Sequence, residues 1–147
     1  MQIVDGKPYI QQIKELIIEY TKRLVCDLIL IINKTIDKKY TAPEGELLVA
    51  VEGEDVLGMI AYHRHSDTRC KMKRLYVKPS CRGMKLGEKL IEELIAHARQ
   101  AGYKEMVLDT IVPLQSAIHM YKKLDFAECE PYYHNPMPDV LYFRKEL

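Results

Sequence analysis

Ile13, Leu16, Ile17, Tyr20 and Leu24 recur at helical spacing, which predicts a helix over residues 8–23 with Pro8 in its first turn. A short strand at residues 1–4 is expected before it. Asp27 is placed to cap a second helical segment running towards Lys39, over which the apolar period is less regular. Ala42-Pro43-Glu44-Gly45 is a turn signal, and beyond it the pattern becomes that of strands. Residues 47–51 read as a buried strand, Glu52-Gly53-Glu54-Asp55 as a hairpin connection, and residues 56–63 as a second strand. A polar loop at 64–69 then leads to a third strand, 72–77, completing an antiparallel meander.

The apolar run stops at Pro79, and a short basic loop with two glycines follows. From Gly87 a long amphipathic period begins. Leu86, Leu90, Leu94 and Ala98 step by four, Ile91 and Ile95 fill the adjacent row, and Glu88, Lys89, Glu92, Glu93 and Arg99 take the other side. Gly102 ends this helix. Residues 106–109 form a short strand that a right-handed crossover lays parallel to 72–77. Pro113 opens a further helix with Ala117, Met120, Tyr121 and Leu124 on one stripe, and strands at 126–130 and 141–145 flank a loop at 131–138. The expected fold class is α/β (α+β), a mixed, mostly antiparallel central sheet flanked by helices, in one domain spanning residues 1–147.

Composition narrows the class. A hydrophobic fraction of 48% and a charged fraction of 29% are those of a soluble globular chain. The longest apolar run, residues 28–32, is far too short for a bilayer, and the N-terminus carries no signal-peptide pattern. A cytoplasmic protein with no membrane partner is expected. Cys26, Cys70, Cys81 and Cys129 match neither a zinc pattern nor a dense disulfide framework, so they read as reduced thiols. Net charge is only +1, yet residues 69–89 hold eight basic residues against Glu88 alone. The rest of the chain is therefore acidic overall. A solvated face would account for such a run, but here two of the charges lie inside the glycine loop at a helix start.

Strand, loop and helix in that order form an anion site, because first-turn amides lack internal partners and the helix dipole favours negative charge there. A plain strand-to-helix turn is the alternative. The stretch Arg82-Gly83-Met84-Lys85-Leu86-Gly87 resembles the signature of the GNAT superfamily of N-acetyltransferases, which reads Arg or Gln, two residues, Gly, one residue, then Gly or Ala. Lys85 stands where a middle glycine is usual. The likeness extends over residues 47–147, through Met72-Lys73-Arg74-Leu75-Tyr76-Val77, Leu108-Asp109-Thr110, the helix with Tyr121, and Pro131-Tyr132-Tyr133.

That resemblance implies a GNAT-like acyl-CoA N-acyltransferase fold and acetyl transfer from acetyl-CoA to an amine, without a metal. It assigns the pyrophosphate to Arg82, Gly83, Met84, Lys85, Leu86 and Gly87, and the pantetheine arm to Leu75, Tyr76 and Val77, with Ser116 as a further cofactor contact. A strand amide in that region would stabilise the oxyanion. Tyr121 is implied as general acid; an intrinsic pKa of about 10 suits a phenol that protonates a departing thiolate. Set against this is the ordinary packing role of an aromatic on an amphipathic stripe.

The general base stays open. The family's usual glutamate falls at Lys71, eleven residues before Arg82. His63, His65, His119 and His134 have suitable chemistry, with His134 preferred because its loop resembles the border of the acceptor pocket. A water chain, or an acceptor amine of low pKa, would also serve. His63 and His65 with Asp67 invite a metal reading that lacks a recognised spacing. Leu114 and Asp125 stand where the family often has asparagine and glycine. The expected partner is a small-molecule or peptide amine acceptor, not nucleic acid, since the basic run lacks interleaved aromatics. A homodimer is compatible with the sequence. A non-catalytic acetyl-CoA sensor is the second reading, motivated by Lys71.

Overall fold

The computed structural model describes residues 2–21, 45–81, 83, 85–134 and 139–147. Among them, seven strands form one sheet in the order β1-β2-β3-β4-β5-β7-β6. The strands are β1 (Gln2–Asp5), β2 (Gly45–Glu52), β3 (Asp55–Arg64), β4 (Arg69–Val77), β5 (Glu105–Ile111), β6 (Ala127–Cys129) and β7 (Val140–Glu146). Helices α1 (Ile10–Thr21), α2 (Leu86–Gln100) and α3 (Gln115–Lys123) cover the sheet. Neighbouring strands run antiparallel except β4 and β5, which are parallel across the α2 crossover. This is the α/β (α+β) architecture expected from the hydrophobic pattern, with its mixed, mostly antiparallel sheet. The segment beginning at Asp27 lies outside the described residues. No described helix is long and apolar enough to cross a membrane.

Boundaries shift where pairing overrides propensity. Strand β4 begins at Arg69 rather than at Met72, because Arg69, Cys70 and Lys71 pair with Glu105, Met106 and Val107. The loop expected at 64–69 shrinks to the turn 65–68, tied by the amides of His65 and Ser66 donating to the Arg69 carbonyl, each at 2.9 Å. Pro8 falls in a 3-10 turn, Lys7–Tyr9, that precedes α1. Strand β6 is only three residues long.

Two cores sit on the two faces of the sheet. Leu86, Leu90, Ile91, Leu94, Ile95 and Ala98 of α2 pack on Leu48, Ile60, Met72, Met106, Leu108 and Phe143. On the other face, Ile13 and Leu16 of α1 pack on Leu47, Val49, Met59, Ala61 and Tyr76. An irregularity in β4 sets which residues look which way. The β3–β4 register passes from Met59↔Tyr76 to Ala61↔Lys73, so β4 carries an extra residue there, a β-bulge. Before the bulge Cys70 and Met72 face α2, and after it Leu75 and Val77 do so. Gly58 permits the close approach: a Cβ there would lie 2.9 Å from the Tyr76 carbonyl oxygen and 3.2 Å from Leu90.

Candidate active site

Parallel pairing of β4 with β5 ends at Lys71 and Val107. Beyond that point β4 continues against β3 and β5 continues against β7, so the two strands diverge. A cleft of about 230 Å³ opens in the fork. Met72, Lys73 and Leu75 line it from β4, Leu108, Asp109, Thr110 and Ile111 from β5, and Leu114 and Tyr121 close it from the α3 side. Backbone groups on the β5-facing edge of β4 have no ladder partner in β5 along the fork, which is where an extended ligand can add hydrogen bonds. Leu75 lines the cleft and packs against the α2-side core, whereas Tyr76 is buried in the α1-side core and Val77 packs under α2. Tyr76 and Val77 are thus not among the described residues that line the cleft.

At the far end of β4 the chain makes the 3-10 turn Pro79–Cys81 and enters the glycine loop. Gly83 has φ +89°, and Lys85, the N-cap of α2, has φ 57° and ψ 25°. Lys85 therefore adopts the left-handed conformation that the usual glycine would adopt, at a cost of roughly 1 kcal/mol for a residue with a Cβ. The Lys85 side chain makes no capping hydrogen bond to α2, and among the described residues no other side chain is recorded on its first-turn amides. The one acid in that turn, Glu88, is held by Lys123 of α3 at 3.0 Å. That pair and the packing of Met120 beside Gly87 bring α3, and with it Tyr121, to the loop. Arg82 and Met84 lie outside the described residues.

Tyr121 is buried, with its ring edge-on to Phe126 at 6.1 Å and tilted against Phe143 at 6.2 Å. Its packing fixes the ring while leaving it on the cleft wall. Ser116 is exposed in the first turn of α3, next to Gln115, whose side-chain amide donates to the Val112 carbonyl. Val112, Leu114 and Tyr133 are the exposed large hydrophobic residues among those described. His134 is exposed on the loop after β6 and is not among the described residues lining the cleft.

The α1-side face of the fork holds a group that local sequence did not assemble. The Lys71 ammonium, only 5% exposed, lies 3.1 Å from Asp109 Oδ1. The Tyr132 hydroxyl donates to Asp109 Oδ1 at 3.2 Å and that of Tyr133 to Oδ2 at 2.8 Å. The ammonium also sits over the Tyr133 ring, 3.8 Å from its centroid. Tyr142 donates to the Tyr133 carbonyl at 3.0 Å and stacks edge-on against both neighbouring tyrosines. Burial, then the negative charge of Asp109, pushes the Tyr132 hydroxyl well above the usual phenol range, so it remains a donor. Asp109 was recognised as part of a motif, not as a partner of Lys71; the spacing of 38 residues carries no local signal.

The histidines are dispersed. His63 Nδ1 is 3.0 Å from the Arg64 carbonyl, Asp67 is paired with Arg64, and His65 packs edge-on against Tyr132 at 5.4 Å. Among the described residues no cluster of three or more His, Cys, Asp or Glu is arranged to hold a metal. Cys70 is fully buried, and burial pushes its thiol up to about 12, where it is inert. Larger cavities, of about 430 and 520 Å³, lie where β4 and β5 are still paired. There Arg69 and Arg144 both engage Glu105, at 2.5 and 3.2 Å.

The forked sheet thus lies beside the start of α2, with a tyrosine on the wall of the cleft. Residues 11–126 match the acetyltransferase (GNAT) family. An uncharacterized N-acetyltransferase of Schizosaccharomyces pombe is 46% identical over 112 residues, 75% of this chain and 69% of that protein. An acetyltransferase from Streptococcus agalactiae superposes with a TM-score of 0.82 at 26% identity, covering 99% of this chain and 98% of that one. An aminoglycoside 6'-N-acetyltransferase complexed with coenzyme A shares the fold, with a TM-score of 0.78 at 16% identity over 99% of this chain and 97% of that one. The chain belongs to the acetyltransferase (GNAT) family.

Proposed function

We propose that the protein transfers the acetyl group of acetyl-CoA to a primary amine by direct attack, with Tyr121 as general acid. The observation that carries this reading is the β4–β5 fork, with Tyr121 on its wall and the uncapped start of α2 at its end. Loop amides and the α2 dipole suit a pyrophosphate, and the open edge of β4 suits an extended arm. The coenzyme A complex of the aminoglycoside enzyme supports the same use of this fold. Acetyl-CoA supplies an activated thioester.

In this reading an uncharged amine attacks from the Lys71–Asp109 side of the fork. Amide donors on β4 stabilise the negative charge that develops on the acetyl oxygen. The Tyr121 hydroxyl gives its proton to the departing sulfur. Nitrogen sheds a proton at the mouth of the cleft, where His134, exposed beside Tyr133, is the side chain proposed to receive it.

Titration calorimetry with acetyl-CoA, followed by a thiol-release assay over a panel of amines, tests the reading. Binding together with amine-dependent thiol release is expected. The buried Lys71 cation in place of a glutamate favours one other reading, an acetyl-CoA sensor, and tight binding with no release on any amine would establish that instead.

A further inference from the structure

The start of α2 carries a carboxylate where the proposed function needs an anion to bind. Lys85 is the N-cap, so Leu86, Gly87 and Glu88 are the first three helical residues, and Glu88 is the acid of the first turn. A glutamate at the third position commonly reaches back to the N-cap amide, where its charge complements the helix dipole. Such a carboxylate would compete with a diphosphate for the same end of the helix.

In this chain the carboxylate is turned to α3 instead. Glu88 Oε1 lies 3.0 Å from the Lys123 ammonium and Oε2 3.4 Å from it, so both oxygens are engaged by one cation. One turn earlier on α3, Met120 packs so close that a Cβ on Gly87 would lie 3.5 Å from its sulfur. Two successive residues of α2, Gly87 and Glu88, thus face Met120 and Lys123. A Cβ on Gly83 would meet nothing within 4 Å, so the loop has open space beside it, as a bound diphosphate requires.

We propose that Lys123 is a positioning residue for acetyl-CoA: by holding the Glu88 carboxylate against α3, it keeps that charge away from the diphosphate bound by the loop and the α2 amides. The proposal deepens the acetyl-CoA reading above and rests on it. Lys123 acts through Glu88 and needs no contact with the ligand. A released Glu88 would repel the diphosphate and be free to take the same amides, whereas a released Lys123 would attract it.

The two ways of breaking the pair therefore have opposite signs. Lys123→Met and Glu88→Gln remove the same tie between α2 and α3, so a tie that only held the helices together would make them equivalent. Around the loop, Lys78, Arg82, Lys85 and Lys89 are the same in both variants. The contrast between the variants is thus independent of the total charge there.

Titration calorimetry with acetyl-CoA on the wild type, both single variants, their double variant and Lys123→Arg tests the proposal. Lys123→Met should weaken binding roughly fivefold, and Glu88→Gln should match the wild type or bind up to roughly fivefold tighter. The double variant should return to within about twofold of the wild type, and Lys123→Arg should keep its affinity. Raising salt from about 20 to about 300 mM should shrink the gap between the single variants. Lys123 is half-exposed, so its replacement leaves the core closed. Should Lys123→Met fail to fold, Lys123→Gln takes its place with the same expectation.

Equal losses in the two single variants, unchanged affinity on removing Lys123, or a double variant as weak as Lys123→Met overturns the proposal and leaves the acetyl-CoA reading standing. A wild-type protein that does not bind acetyl-CoA sinks that reading and this inference with it.

Discussion

At one end of β4, Gly83 and Lys85 take positive φ and lead into α2 with its amides exposed; at the other, Lys71, Asp109, Tyr132 and Tyr133 meet entirely through side chains. In the function proposed above the first region works through backbone, which accommodates Lys85 because it keeps the left-handed conformation. The second depends on the identity of each side chain, because a buried ammonium needs its carboxylate partner.

The hardest test of this contrast is Tyr121→Phe, which removes the proposed proton and leaves the ring packing intact. Turnover should fall by about 10² to 10⁴, with the calorimetric affinity for acetyl-CoA unchanged. Equal losses in both would make Tyr121 a binding residue.

Next in size is Asp109→Ala, which strands the Lys71 ammonium in a buried position. Chemical denaturation should show a loss of about 3 kcal/mol, most of it recovered by adding Lys71→Met, since an apolar replacement of both partners is far better tolerated than loss of one. Additive losses would mean that the two side chains do not form an energetic pair.

Lys85→Gly probes the backbone end. Relief of the left-handed strain should raise stability by about 1 kcal/mol, with acetyl-CoA affinity within a few-fold of wild type. A tenfold weakening would show that the lysine side chain, and not the backbone alone, holds the phosphates.

The smallest effect concerns His65, whose pKa burial lowers, aided by the positive charges of Arg69 and Lys71. A folded-state pKa below the unfolded one means that the unfolded chain binds more protons in that window, so stability rises with pH. Acidification below about pH 6.5 should therefore lower the thermal midpoint slightly, and His65→Gln should flatten that slope. An identical slope in the variant assigns the acid sensitivity elsewhere.

The α2 helix shows how much of the fold was legible. Its four-residue steps from Leu86 to Ala98 set its length and buried face, and all six apolar positions are buried. The glycine loop stands out in the sequence for the same reason: its motif lies within six consecutive residues, of which Gly83 and Lys85 take positive φ. The extra length of β4 was not, because Arg69 to Lys71 are held as strand by pairing with residues 105–107 rather than by their own pattern.

Sequence alone determined the order of elements, the apolar stripes and the loop before α2, since each depends on neighbours a few positions apart. Lys71 could be read there only as the residue that removes a glutamate. Tertiary structure decided what Lys71 does instead, because its partners come from positions 109, 132 and 133 and meet it only once β4 and β5 diverge and the tyrosine loop folds over them. Pairing at that distance is set by sheet topology, and no periodicity along the chain encodes it.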